Sequence, residues 1–316
     1  MNPHLIGKVE VTGLVGPLRL KHLDTTKLDG RFRITDLNLG SYRQIAGTVS
    51  GDGHFTGELG RTDIAGHVTI PDFAVTRSHH RENLAAEYHA SVNGLSGDVG
   101  IISSSVTLFQ TKLIAHGTIA GRKGKTISLD VTTADGRIQD LLHVFVNSDP
   151  APLEGTLDLR AHVVVPPEKS SFMQRVRIDG DFQIDHAMFT HPATEMRLND
   201  LSVRASGRKG QGTEKQVSAE MASHVLLRQE VATLTRAVFT VPGAVASGGG
   251  TYNLENEVLN LKGKVAMHAT LSQAETGVKS VLVVPLDPFF KKGNAGAVLP
   301  IQITGTYSHP KFKLRL

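Results

Sequence analysis

Leu259-Asn-Leu-Lys-Gly-Lys-Val-Ala-Met-His-Ala-Thr-Leu271 is the stretch whose reading decides the fold. Its odd positions are Leu259, Leu261, Gly263, Val265, Met267, Ala269 and Leu271; its even positions are Asn260, Lys262, Lys264, Ala266, His268 and Thr270. This alternation with a period of two is the pattern of a strand with one dry and one wet face. Leu299, Ile301 and Ile303 alternate with Gln302 and Thr304 in the same way. Ser308-His-Pro310 then breaks the phase as a turn does, and Phe312, Leu314 and Leu316 alternate with Lys311, Lys313 and Arg315. Between these strands Ser272-Gln-Ala-Glu275 has the spacing of a capping box, which predicts a helix carrying Ala274, Val278, Val281 and Leu282 on one face. Pro285 and Pro288 end or kink it, and Leu286, Phe289 and Phe290 keep its exit apolar.

Working back toward the N-terminus, a ten-residue unit recurs: a glycine followed by apolar side chains at +2, +4, +7 and +9. Gly30 leads Phe32, Ile34, Leu37 and Leu39; Gly66 leads Val68, Ile70, Phe73 and Val75; Gly180 leads Phe182, Ile184, Ala187 and Phe189. A looser copy has Glu230 in the glycine place, followed by Ala232, Leu234, Ala237 and Phe239. The step from +4 to +7 adds one residue to the alternation, and a β-bulge there keeps both halves on one face. Further strands are predicted at Leu18–Leu23, Ala46–Gly57, Ala86–Val92, Val99–Leu108, Lys112–Ala120, Thr126–Thr132, Gly155–Val165, Leu201–Ser206 and Val217–Val225. Gly51-Asp-Gly53, Gly121-Arg-Lys-Gly124 and Gly207-Arg-Lys-Gly210 read as hairpin turns. Asp135–Val146 reads as a second helix, with Ile138, Leu141, Leu142 and Phe145 on one face and Asp135 as its cap. Thr76–Asn83 and Pro166–Ser171 read as exposed connections, the latter the best place for a hinge. Many strands and short turns predict a mainly β chain built as an antiparallel meander.

Several runs in this chain resemble the C-terminal region of AsmA-like proteins: Pro242-Gly-Ala-Val-Ala-Ser-Gly-Gly-Gly-Thr-Tyr-Asn-Leu254, Gly277-Val-Lys-Ser280, Asp287-Pro-Phe-Phe290, Leu299-Pro-Ile-Gln-Ile-Thr-Gly305 and His309-Pro-Lys-Phe312. The related TamB-like proteins share the general architecture. The resemblance covers about residues 228–316 and continues, as pattern only, to the N-terminus. It implies an elongated sheet curled into a β-groove, a periplasmic location in a Gram-negative envelope, an inner-membrane anchor in the full-length protein, and a part in phospholipid transport or outer-membrane biogenesis. The motifs that carry it are structural rather than catalytic.

Composition narrows the classes. The 316 residues suit one elongated domain, expected to be the C-terminal part of a longer protein whose anchor lies outside this chain. Cysteine is absent, which removes a disulfide scaffold and a cysteine metal site. Thirty-four basic and 30 acidic groups leave +4, with no concentrated basic patch or stacking aromatics of the nucleic-acid kind. No run of 18 apolar residues and no signal-peptide pattern occurs. Tryptophan is absent and only four tyrosines occur, which argues against the aromatic girdles of a membrane barrel.

No pattern for catalysis emerges. Gly121-Arg-Lys-Gly-Lys-Thr126 has Ile119 where a phosphate loop needs its first glycine, so it reads as a basic hairpin. Gly51-Asp-Gly-His-Phe-Thr-Gly57 has one residue too many for a dinucleotide fingerprint. His79-His80 and the His186/His191 pair could ligate a metal, but adjacent residues on a strand point to opposite faces and no carboxylate arrangement accompanies them, so they read as solvent-facing. The expectation is a non-enzyme without cofactor or metal. Its apolar face is either closed into a sandwich or solenoid core, or left open as a groove for phospholipid acyl chains, and the alternation is the same for both. The expected lipid lining is Phe32, Ile34, Val68, Ile70, Phe182, Ile184, Leu234 and Phe239, with Val278, Leu282 and Phe289 from the C-terminal helix. Expected partners are phospholipid, a membrane surface met by basic residues such as Lys291 and Lys292, and other envelope proteins, with no nucleic acid. The rival expectation is a structural β-scaffold for protein contacts.

Overall fold

The computed structural model describes residues 7–18, 20–41, 45–75, 78–121, 126–167, 170–205, 217–267 and 298–314. The chain is mainly β, as the alternation predicts. In chain order the elements are β1 (Lys8–Val15), β2 (Lys27–Asn38), β3 (Ile45–Ala46), β4 (Thr48–Glu58), β5 (Arg61–Val75), β6 (Glu82–Val92), β7 (Val99–Leu108), β8 (Thr111–Ile119) and β9 (Ile127–Arg137). Then come α1 (Ile138–Phe145), β10 (Leu153–Val165), α2 (Phe172–Arg175), β11 (Arg177–Phe189), α3 (Pro192–Ala205), β12 (Ala219–Arg228), β13 (Val231–Val241), β14 (Ala244–Asn253), β15 (Val258–Met267), β16 (Val298–Thr306) and β17 (Pro310–Leu314). The described residues include no helix long and apolar enough to cross a membrane. The chain divides into two compact units. One holds Met1–Ser148, Asp158–Gly180 and Leu227–Gln229; the other holds Asp149–Leu157, Asp181–Leu226 and Glu230–Leu316.

In the first unit, β1, β2, β4, β5, β6, β7, β8 and β9 pair in that order, each antiparallel to the next. The register shifts between Ile34 and Leu37 in the β2–β4 pair and between Ile70 and Phe73 in the β5–β6 pair. These are the +4 and +7 places of the repeat, so the added residue is a bulge. Asp36, at +6, takes φ of 52°, a left-handed conformation that Asp tolerates better than most residues. The bulge keeps apolar positions on one face: Ile70 is buried beyond Phe73, and Phe32, Ile34 and Val68 are half-buried.

The segment Gly51-Asp-Gly53 is not a turn. It lies inside β4, where Gly51 pairs with Val68 and Gly53 with Gly66. On the other side of β4, Phe32 faces Gly53 and Phe55 faces Gly30. Each ring folds over the opposing glycine, its nearest carbon 2.6 Å from where a Cβ would stand. These glycines therefore admit a neighbour's ring rather than a change of direction. The described residues of Leu18–Leu23 do not continue as a strand either. Pro17 lacks the N–H a ladder needs, Leu18 and Leu20 are exposed, and Leu23–Thr25 forms a single 3-10 turn. The connection before β6 is less exposed than predicted, since the strand begins at Glu82, which is buried, and Ser78 is buried too. For the basic hairpin at 121–126, Ile119 pairs with Ile127 across it; residues 122–125, and the predicted turn at 207–210, lie outside the described residues.

The first helix also starts later than predicted. β9 runs on to Arg137, and Asp135 sits within it at φ of 55° instead of capping α1. The polar anchor is Asp140, in the first turn of α1 and 1% exposed. Its Oδ2 accepts from Thr111 Oγ1 at 2.8 Å and from the Gln110 backbone N–H at 3.1 Å, and its Oδ1 stands 3.9 Å from Arg137 Nε. A buried carboxylate is tolerated only when its oxygens are so occupied. Asp140→Ala leaves two donors unmet and lowers unfolding stability by about 2–3 kcal/mol. Thr111→Val keeps the Gln110 N–H on Asp140 but takes away the acceptor of the Arg137 backbone N–H as well as the donor to Asp140, and loses about 1–2 kcal/mol. Urea unfolding of the two variants checks the order.

In the second unit β13, β14, β15, β16 and β17 form a continuous antiparallel meander. The looser repeat bulges like the stricter ones: the β13–β14 register shifts between Leu234 and Ala237, and Arg236, at +6, has φ of 54°. Leu201–Ser206, predicted as a strand, instead includes the last turn of α3. Pro192 suits the first helical position, since its missing N–H has no partner there, and Ala193, Glu195, Met196 and Leu198 favour helix. The Ser202 hydroxyl donates to Pro242 O at 2.8 Å and ties this helix to the β13–β14 turn. With α2 and α3, the described residues hold more helix than predicted. The predicted C-terminal helix, within residues 268–297, lies outside the described residues.

Candidate functional site

The register of the second unit explains its site. Counting across from β14, Leu234 pairs with Gly250, Ala237 with Gly248 and Phe239 with Ala246. On the far side Gly250 pairs with Leu261, Gly248 with Gly263, Ala246 with Val265 and Tyr252 with Leu259. Side chains alternate between faces. The face shared by these residues therefore has Ala244, Ala246, Gly248 and Gly250 along β14, between Leu234 and Phe239 on β13 and Leu259, Leu261 and Val265 on β15. Ile301 and Ile303 of β16 and Phe312 of β17 extend it, being paired through Gly263 and Leu261. One strand carries almost no side-chain volume while its neighbours carry large apolar groups. The result is a trough whose floor is β14, with a cavity volume of about 280 Å³.

The floor cannot be raised. A Cβ on Gly248 would stand 2.2 Å from the Lys262 carbonyl oxygen, inside the neighbouring backbone. α3 lies over the trough, with Thr194 and Leu198, one turn apart, lining it alongside Phe189, Met221 and Tyr307. Phe189 meets Phe239 edge to face at 5.9 Å and 68°, an arrangement that fixes one wall. Val241, Ala244, Val265 and Met267 are buried at one end of the face, while Leu234, Phe239, Leu261, Ile301 and Ile303 remain half-buried around the open space. From Ala246 to Gly249, the stretch of β14 that lines the cavity, the floor is roughly 10 Å long at ~3.4 Å per residue.

Of the predicted lining residues, Leu234 and Phe239 stand in the trough. Phe182 and Ile184 belong to the same unit but do not line it, and Ile184 is fully packed at 2% exposure. Phe32, Ile34, Val68 and Ile70 belong to the other unit, where Phe32 fills the space over Gly53. Val278, Leu282 and Phe289 lie outside the described residues. The strand floor was missed in the sequence reading, although Ala244, Ala246, Gly248 and Gly250 at every second position are its signal.

The histidines divide by environment. His67–Asp52 at 3.3 Å and His162–Asp130 at 2.8 Å are cross-strand pairs on wet faces, and His186 is exposed. His80 departs from the solvent-facing expectation: it is half-buried and stacks on His143 at 4.8 Å, and His143 in turn meets Glu82 at 3.3 Å. Among the described residues no group of three or more His, Cys, Asp or Glu is placed to hold a metal ion. No family model, no curated protein and no solved structure matches this chain.

At the end of the trough opposite Met267, Tyr252 shares the apolar face. Burial, and then the negative charges of Glu257 and Tyr307, push its phenol well above the ordinary value of 10. Burial likewise raises Tyr307, whose hydroxyl donates to Pro152 O at 2.8 Å. The folded state holds the Tyr252 proton more tightly than the unfolded state does. Its contribution is therefore fully present below about pH 10 and is lost as the pH rises from there toward the folded value. Tyr252→Phe removes that loss. Chemical unfolding across this range shows wild-type stability falling faster than that of the variant, by up to roughly 1.4 kcal/mol per pH unit.

Proposed function

We propose that this chain is a non-catalytic protein that holds a phospholipid acyl chain in the trough over β14. Its setting, on this reading, is the cell envelope, where it binds or conducts phospholipid in support of outer-membrane lipid homeostasis, as the AsmA-like resemblance implies. The periplasmic location and an inner-membrane anchor in the full-length protein are part of the same proposal. The observation that carries it is an apolar face emptied along one strand, with a cavity of about 280 Å³ beneath a helix. That is roughly twice the ~150 Å³ apolar cavity that takes up benzene. A lined floor of roughly 10 Å takes up part of an acyl chain, whose full span is the ~15 Å depth of one bilayer leaflet.

The mechanism is passive partition. Each methylene taken from water gains about 0.8 kcal/mol, but a chain taken from a bilayer leaves an equally apolar medium, so transfer between bilayer and trough is nearly balanced. A balanced exchange can be loaded and unloaded without a reaction at the site. Orientation comes from the walls, and the headgroup stays in water.

Ala237 is the residue to test, because its side chain stands beside Gly248 without being part of the glycine floor. Ala237→Phe places a ring over that floor. Organic extracts of the purified chain, read by mass spectrometry, carry close to one phospholipid per wild-type molecule. Those of Ala237→Phe carry about ten-fold less or lower, with an unchanged circular dichroism spectrum. A well-folded wild type that yields no lipid above background turns the reading to a scaffold whose apolar face is covered by a protein partner.

A further inference from the structure

The opposite face of β14–β17 has a different composition. The residues between those of the trough are Ser247, Gly249 and Thr251 on β14, Val258, Asn260, Lys262, Lys264 and Ala266 on β15, Val298, Pro300, Gln302 and Thr304 on β16, and Lys311 and Lys313 on β17. Four ammonium groups stand on this face and no carboxylate does, among the described residues. Lys262 and Lys313 share one row through Gln302, and Lys311 lies in the next row through Thr304. All four lysines are exposed, and none is in an ion pair among the described residues. Val258 and Val298 on the same face are 43% and 41% exposed.

We infer that this face docks on the surface of an anionic bilayer. Like charges two residues or two strands apart, roughly 7–10 Å, repel one another, and an anionic partner relieves that repulsion. The chemistry selects among anionic partners. A nucleic-acid strand is held by stacking aromatics and forked guanidinium groups, whereas this face carries Thr, Ser, Asn, Gln, Val and lysine. Lysines with flexible apolar stems beside exposed valines match the headgroup boundary, where the ammonium reaches phosphate and the stem and valine meet the acyl region. Contact is with the layer as a whole, so no lysine needs a fixed anion site. The inference goes beyond the acyl-chain reading and does not rest on it, because the two use opposite faces of the sheet.

Co-sedimentation with vesicles tests it. The wild type binds vesicles of equal parts phosphatidylcholine and phosphatidylglycerol and is released by salt. Vesicles of phosphatidylcholine alone retain little. The double variant Lys262→Glu/Lys313→Glu loses at least about twenty-five-fold in partitioning, at about five-fold per lysine. The Lys262→Gln/Lys264→Gln/Lys311→Gln/Lys313→Gln variant, with native circular dichroism, loses on the order of several hundred-fold at the same factor per lysine. Ala237→Phe binds these vesicles as the wild type does, so a failed acyl-chain reading leaves this test intact. Equal binding to both vesicle types, or undiminished binding by the charge variants, overturns the inference. Binding to soluble polyglutamate with none to the anionic vesicles overturns it in favour of an acidic protein surface.

Discussion

A β-strand sends its side chains to two faces in strict turn, and its neighbours are held at a fixed spacing by the hydrogen-bond ladder. Those two constraints leave one way to open a space on a sheet without breaking it. A single strand must place small residues at every second position while the strands beside it keep large ones. β14 does this with Ala244, Ala246, Gly248 and Gly250 between β13 and β15. The ladder prevents the walls from closing over the floor, and α3, tied to the β13–β14 turn through Ser202, gives the space a roof. In a closed core an unfilled apolar void is penalised by about 24 cal/mol per Å³. The pressure to fill it is what makes such a space a binding site.

The same ten-residue pattern serves two ends. In both units a residue added between the +4 and +7 positions bulges the strand and returns its apolar side chains to one face. In the first unit the strand opposite β2 presents Gly53 beneath Phe32 and Phe55 above Gly30, so rings occupy the room that glycine leaves. In the second unit the strand opposite β13 presents Gly248 and Gly250 to Ala237 and Leu234, and no ring lies across from either glycine. The repeat unit itself does not distinguish filled from open. The strand it pairs with does.

That dependence on the partner explains what could be read from the sequence. Alternation and the bulge are local, so strands such as Val99–Leu108 and Val258–Met267 and the kink beyond Ile34 follow from the residues within each segment. Glycine is ambiguous, because it marks both a turn and a close approach of another chain segment. Gly53 could be assigned only once Phe32 was known to lie beside it. Leu201, Val203 and Ala205 alternate well enough for a strand, yet the helix that starts at Pro192 carries through them. Of the expected lining, Leu234 and Phe239 stand in the trough and Phe32 does not, since membership is decided by the volume opposite each residue. Asp140 was overlooked because a lone carboxylate in an apolar helix gives no sign of the Thr111 hydroxyl that meets it.

The floor of the trough is also the part of the second unit least open to change. Added carbon at Gly248, Gly250 or Gly263 would stand 2.2, 2.1 or 2.4 Å from a neighbouring carbonyl oxygen. Leu234, Leu261 and Ile303 meet no such limit, since each projects into open space and can be shortened or lengthened by a methylene or two. Depth is thus set by the backbone and gauge by the walls. If the trough holds an acyl chain as proposed, a lineage built on this sheet can drift in the thickness of the chain it accepts, from a straight one to a branched or unsaturated one, while the bed beneath stays the same.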